Sequence, residues 1–331
     1  MQAVITVATM RESDAYTIAN FVPSKTLMYR AAMGVYQAAQ WKGPVGILTG
    51  GGNNGGDGYA LAGILADHGI PCTIYRVSET FSEDGGYYHT QAVEKGVPSV
   101  PYTEETDLSA CHTLVDCLLG TGFSGEVRGL YRHAIQAMNQ AKAYVVSVDI
   151  NSGMNGDTGK GALVVQSNLT VTIGFLKVGM LLGDAVQKMD QLAVADIGIR
   201  LIREDDFLAH PEEVVFSRSG LSLEGPQERL SPEAVEKAGE EGDTLPETAR
   251  ALALRSGGLI RVSGKYPLVT DGHQTYFLEA EHAAIPVLNL QTCSVWSHQK
   301  SPRPYGFTGN REGAGFLVEN GQTETEYRGM E

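Results

Sequence analysis

The sequence predicts an α/β fold, a three-layer α/β/α sandwich around a mostly parallel sheet. Three observations carry that reading. From residue 45 to residue 199, short apolar runs alternate with longer and more polar segments. Several of the runs are nearly continuous in Val, Ile and Leu, as strands buried on both faces are. Glycine-rich polar stretches follow the runs, where a parallel sheet turns from strand into helix.

In chain order, residues 1–40 read as helical. Met10–Asn20 and Ser24–Gln40 carry apolar residues at three- and four-residue spacing, and Pro23 breaks the pattern between them. Ser24 is the expected cap of the second helix. Strands are expected at Val45–Thr49, Cys72–Val77, Thr113–Leu119, Tyr144–Ile150, Leu169–Ile173 and Leu192–Ile199. Helices are expected at Asp57–His68, Asp84–Lys95 and Tyr131–Lys142. The character then shifts. Glu204–Glu247 is acidic and broken by Pro211, Pro226, Pro232 and Pro246. Thr248–Val262 and Pro267–Leu278 read as a helix, a strand and a hairpin with Asp271-Gly272 as its turn. Gln291–Glu331 is polar and weakly periodic, and is expected to be poorly ordered. The organisation read from this is a domain over 1–210 and a small, incomplete segment over 211–331, without internal repeats.

Composition narrows the function. Of 331 residues, 42% are hydrophobic and 19% charged, enough apolar mass for a core. The net charge of −14 repels phosphate backbones and anionic lipid, which argues against nucleic-acid and membrane partners. No run approaches the ~18 apolar residues of a membrane span, and the N-terminal stretch lacks signal-peptide character. Cys72, Cys111, Cys117 and Cys293 form no CxxC and no zinc-ligand spacing. Buried free thiols in a reducing cytoplasm are the expectation.

The chemistry gathers at strand ends. Gly50–Gly58 reads GGGNNGGDG, directly after one strand and before a helix. Bare backbone N–H groups and a helix N-terminus suit a phosphate. The stretch contains GxGxxG as Gly50, Gly52 and Gly55, a Rossmann-like fingerprint that is weak alone. A tight turn accounts for glycines but not for Asn53, Asn54 and Asp57, although an acid near a helix start is also ordinary. Three more polar loops follow strands: Gly120–Glu126, Asp149–Asn155 and Gly174–Gly179. In a parallel sheet these carboxyl ends share one edge, and ligands bind in the crevice outside it. Asp116 lies inside the apolar run Leu114–Leu118, so its carboxylate must be hydrogen-bonded, paired or metal-bound. Asp149 ends a strand at the crevice and is the first candidate for acid–base work, with capping of the next turn as the plainer role. Asn54, Asp116 and Ser152 offer only oxygen, which suits an alkali or alkaline-earth cation and not zinc.

At these residues a family resemblance becomes specific. GGNNGGDGY, VDCLLGTGFSGEVRG and SVDINSGMNGDTG resemble the NAD(P)H-hydrate epimerase family, the N-terminal half of bifunctional nicotinamide-nucleotide repair enzymes. MRESDAYTI, LMYRAAMG and TIGFLKVGM match as well, so the likeness spans roughly residues 8–200. It implies that Asn53, Asn54, Gly55, Gly56 and Asp57 contact the substrate. The loop of Gly120, Thr121, Gly122, Phe123, Ser124, Gly125 and Glu126 would wrap the nucleotide phosphate. Asp149 would meet the damaged nicotinamide ring, and Lys177 matches a family lysine. Asn54, Asp116 and Ser152 would hold a potassium ion. Two residues depart from the family pattern: Asn151 replaces the usual proline, which is expected to loosen its loop, and Ala32 stands where glycine is common.

ETARALALRSGGLIRVSGKYPLVTDGHQTYFL resembles one passage of the ADP- or ATP-dependent dehydratase of such enzymes. The glycine-rich GTGD segment does not follow it, so 211–331 reads as a truncated remnant without dehydratase activity. The implied reaction interconverts the R and S forms of NADHX and NADPHX, hydrated at C6, with Asp149 as acid and base. A homodimer is an allowed assembly. Two rivals remain at the level of sequence: a nicotinamide-dependent oxidoreductase, with Arg76 and Glu79 near the ribose position, and a catalytically dead nucleotide-binding protein.

Overall fold

The computed structural model describes residues 1–204, 206–209, 211–214, 216, 221–240, 243–279 and 287–291, all within one compact unit spanning 1–292. The chain begins with β1 (Gln2–Ile5), α1 (Val7–Asn20) and α2 (Ser24–Ala38). It continues through β2 (Val45–Thr49), α3 (Asn53–Asp67), β3 (Cys72–Arg76), α4 (Glu83–Glu94) and β4 (Ser99–Pro101). Next come β5 (Thr113–Cys117), α5 (Gly129–Gln140), β6 (Tyr144–Val148), β7 (Leu169–Ile173), β8 (Leu176–Lys177) and, after two 3-10 turns, β9 (Leu192–Asp196). The remainder supplies β10 (Asp206–Ala209), β11 (Gln227–Leu230), α6 (Pro232–Ala238), α7 (Leu245–Ser256), β12 (Leu259–Val262), β13 (Leu268–Thr270), β14 (Thr275–Leu278) and β15 (Val287–Gln291).

One sheet has eight strands in the order β15-β9-β7-β6-β5-β2-β3-β4, and every pair in it is parallel. Strands β2, β5 and β7 are buried at all five positions, which is why they read as unbroken apolar runs. Alternate residues face opposite layers. Ile47, Val115, Val146 and Val171 pack with Leu27, Leu61 and Ala92 of α2, α3 and α4. Leu48, Leu114 and Val145 pack with Ala134, Ile135 and Met138 of α5. Each such aliphatic side chain contributes about 1.5–3 kcal/mol on burial. The α/β/α sandwich is therefore as expected. Chain order runs β2-β3-β4 toward one edge and β5-β6-β7-β9 toward the other. The crevice opens where that direction reverses, between the ends of β2 and β5.

A second, mixed sheet runs β11-β12-β13-β14-β10-β1-β8. The expected helix–strand–hairpin passage is present as α7, β12, β13 and β14. A capping box between Thr244 and Glu247 starts α7, and Gly257 in the left-handed region ends it. At the hairpin turn, Asp271 Oδ1 accepts from the N–H groups of His273 and Gln274. The boundary read at 210–211 thus falls inside a sheet that joins residues 2–5 to strands between 206 and 278. The expectation for Gln291–Glu331 lies, beyond Gln291, outside the described residues. Cys72, Cys111 and Cys117 are buried free thiols, and burial pushes Cys72 up to about 11. Cys293 is outside the described residues. No helix among the described residues is long and apolar enough to cross a membrane.

Three local readings need correction. Residues 2–5 form a strand rather than helix, because β8 and β10 offer their backbones to it. Pro23, not Ser24, occupies the cap of α2, and Ser24 is already helical. In α1 the fully buried residues are not the apolar ones that gave the spacing. Thr9, Ser13 and Thr17 are its buried residues, while Tyr16 and Ile18 are exposed. Their hydroxyls accept from Arg203 Nε and from the backbone N–H groups of Ile202 and Arg200. The buried stripe is polar because its partners are two backbone N–H groups and the Arg203 guanidinium, not an apolar core.

Candidate functional site

The glycine-rich stretch is not a free loop. Helix α3 begins at Asn53, four residues earlier than the periodicity suggests, with Gly52 at its cap and no side-chain capping bond. Its first N–H groups are therefore left for a ligand. Two glycines are needed for close packing: a Cβ on Gly50 would lie 2.0 Å from Leu118 O, and one on Gly55 would lie 2.0 Å from Gly50 O. The tight turn thus accounts for these two glycines. It does not account for Asn54, which is 7% exposed with both Oδ1 and Nδ2 lacking any hydrogen-bond partner. Leaving such an amide unsatisfied costs about 1–3 kcal/mol per group. Asn53 is exposed at the rim and Asp57 is half-buried one turn further along.

At the end of β5, Asp116 is fully buried and its four acceptor positions are filled. Oδ1 accepts from Leu118 N and Ser152 Oγ, and Oδ2 accepts from Ser147 Oγ and Ser152 N. Burial still pushes its pKa above the ordinary value, outweighing these bonds. Every partner is neutral, so a cation nearby would be welcome. Ser152 Oγ also accepts from Leu119 N at 2.8 Å and lies 3.1 Å from Leu119 O. Its proton can turn to Leu119 O and free a lone pair on Asp116. The oxygen set, with the orphaned Asn54 Oδ1, fits an alkali cation.

Asp149 has φ 68°, the only non-glycine positive φ among the described residues. This left-handed turn at the strand end costs on the order of 1–3 kcal/mol. It aims the carboxylate at Lys177, whose Nζ donates to Asp149 Oδ1 at 2.6 Å. Lys177 is fully buried, and its other donors reach Thr172 Oγ1 and Ile173 O. Gly120 joins the two halves of the site. A Cβ there would lie 3.3 Å from Asn54 Cβ and 3.7 Å from Asp149 Oδ2. Asn54, Gly120, Asp149 and Lys177 therefore meet, with Ser152 and Asp116 bonded to the adjoining Leu118-Leu119. The rest of the expected phosphate loop lies outward: Gly122, Ser124, Gly125 and Glu126 are exposed, Thr121 and Phe123 half-buried. Glu126 pairs there with Arg128.

The expectation that Asn151 loosens its loop is overturned. Its Nδ2 donates to Val165 O, Ser167 Oγ and Lys188 O, and its Oδ1 accepts from Thr170 Oγ1. The buried amide pins the segment that a proline would otherwise stiffen. Ala32 is fully buried in α2 and away from this chemistry. Arg76, considered for a ribose contact, is instead held by Glu79 and Ser99.

Sequence reasoning missed Asp14 on α1. Burial raises its pKa, Asp149 raises it further, and Lys177 opposes both. Asp57 is pushed well above the carboxylate range by burial first, then by Asp149 and Asp14, against Lys177. Three carboxylates thus lie within electrostatic reach of one ammonium, and Asp149 is the one bonded to it. A lone acid on a helix carries no motif. The hydroxyl stripe of Thr9, Ser13 and Thr17 marked the buried face beside it, and was the available signal.

The fold is thus α/β with a switch-point crevice that carries an uncapped helix N-terminus, an oxygen donor set and a buried lysine paired with a partly exposed aspartate. The comparisons narrow this. The family described as YjeF-related protein N-terminus matches residues 24–179. An NAD(P)H-hydrate epimerase of Limosilactobacillus reuteri is 34% identical over 203 residues, 58% of this chain and 94% of that protein. One from Lentilactobacillus buchneri is 36% identical over 209 residues, 60% and 96% respectively. A bifunctional NAD(P)H-hydrate repair enzyme of Coxiella burnetii is 34% identical over 57% of this chain and 40% of its own length. A yeast crystal structure matches with a TM-score of 0.48 and 22% identity, over 53% of this chain and 82% of that one. The chain belongs to the NAD(P)H-hydrate epimerase family.

Proposed function

We propose that this chain epimerises NADHX and NADPHX at C6, in the crevice between β2 and β5. The observation that carries the reading is the buried Lys177 paired with the partly exposed Asp149, facing Gly120 beside the orphaned Asn54. C6 of the hydrate bears both the ring nitrogen and the hydroxyl, so departure of the hydroxyl leaves an iminium. Asp149 protonates the departing oxygen, and Lys177 shares its proton along their hydrogen bond. The carboxylate that remains stabilises the ring cation. Water then adds from the opposite face and returns its proton to the pair, which is ready again. The N-terminus of α3 and the loop 120–126 bind phosphate. Asn54, Asp116 and Ser152 would hold a potassium ion, whose charge would offset Asp116 and order these loops.

The test is interconversion of the two epimers of NADPHX followed by chiral chromatography. Asp149→Asn keeps the shape but cannot carry the proton. It is expected to lose at least ~10²-fold in turnover while still binding nucleotide. Unchanged turnover would remove Asp149 from this role.

A further inference from the structure

We propose that the C-terminal lobe, residues 206–278, is a working part of the active site. Through β10 it holds β1 against β8, and β1 keeps Lys177 dry and aimed at Asp149. The effect on turnover rests on the reaction proposed above; the strand argument does not.

Strand β1 sits between the two portions of the chain. It shares two register pairs with β8, Val4 with Leu176 and Ile5 with Lys177. It shares three with β10: Gln2 with Leu208, Ala3 with Phe207 and Val4 with Asp206. The larger share of its pairing therefore comes from the lobe. A strand this short is marginal on one partner alone. Without β10, β1 would hang from a two-residue strand.

Ile5 is the strand neighbour of Lys177, and both are fully buried. Register partners project to the same face, so Ile5 walls off the lysine stem. The Lys177 ammonium uses three donors on three fixed acceptors. Water entering there would compete for each of them. On the opposite face of β1, β8 and β10 lies an apolar cluster that ties the three strands together. It contains Val4, Leu176, Ile150 and Met154 beside Leu208 and Phe277 of the lobe. A further tie lies at the level of Val4. Its partner Asp206 accepts from Arg250 Nη1 of α7, which also donates to Thr275 Oγ1 of β14. Helix α7, β10 and β14 are thus locked together where they meet β1. Loosening β1 would admit water to the buried ammonium of Lys177 and shift the carboxylate it holds. A misplacement of about 1 Å is enough to cost ~10²-fold in rate.

The experiment uses the full chain and Leu208→Ala, a lobe residue that touches neither substrate nor the ion pair. Its turnover number is expected to fall at least about ten-fold, with KM for NADPHX changed less than about two-fold. Leu208→Met, which refills the volume, restores it. Hydrogen exchange followed by mass spectrometry should show segments 2–5 and 174–181 opening faster in Leu208→Ala, with 113–117 and 144–148 unchanged. A second arm needs no activity and no variant. In the unmodified chain under rising denaturant, protection at 174–181 should be lost together with that at 206–209. Protection at 174–181 that persists after 206–209 opens overturns the inference. So does a Leu208→Ala chain with faster exchange at 174–181 but undiminished turnover number. If the unmodified chain shows no epimerase turnover, the proposed reaction fails, and the exchange arm still decides the strand argument.

Discussion

Asp57 shows how one residue can weaken the fold in order to serve the site. Asp14, Asp149 and Lys177 face it, and burial holds its pKa well above 3.8. The folded protein therefore keeps a proton there that the unfolded chain gives up. The stability this contributes is fully present below the ordinary carboxylate value and is lost as pH rises through the folded one. Asp57→Asn should raise the melting temperature at pH 7, and the gain should vanish below about pH 4, as calorimetry across pH would show. Asn54 makes a matching case. Asn54→Leu removes two buried unsatisfied atoms, so the ligand-free protein should melt no lower than the parent. It should also lose any rise in melting temperature that potassium gives the parent, since only a bound ion stabilises in that way. At this scale the sequence was legible where a motif repeats the chemistry nearby, as in Asn53–Asp57. It was silent on the pairing of Asp149 with Lys177 as geometry, because nothing local marks a contact 28 residues apart.

The parallel strands were legible as elements because both faces are buried and their apolar runs are continuous. β1 and β8 were not: four and two residues carry no period, and each exists only through its partners. The apolar spacing of α1 did not show that its buried face is the hydroxyl stripe, which pairs with the backbone of Arg200 and Ile202 and with the Arg203 side chain. The start of α3 was placed late because asparagine and glycine are weak helix formers, yet strand packing fixes them in the first turn. That junction is testable. Gly55→Ala gains about 1 kcal/mol of helix propensity but drives a methyl group into Gly50 O. Overpacking costs typically 1–3 kcal/mol, and against backbone the upper end applies. The variant should melt several degrees lower, and its affinity for nucleotide should fall with the displaced helix end.

The described molecule does not divide near residue 210, where the acidic stretch begins. Residues 1–292 form one compact unit, and one sheet threads both portions. On heating, residues 1–292 should therefore give one cooperative transition, with the fluorescence of Trp41, read in a Trp296→Phe chain, and the far-ultraviolet signal changing together. Two separated transitions would show that the portions melt independently. The position of β1 also has a consequence for how the protein is made. Its backbone groups cannot be matched until Leu176 and then Asp206 have been synthesised. At ribosomal speed that interval is on the order of ten seconds or more. Throughout it, the segment that will shelter the lysine is an unclaimed adhesive ribbon. Its shelter arrives only when both neighbouring strands have been made.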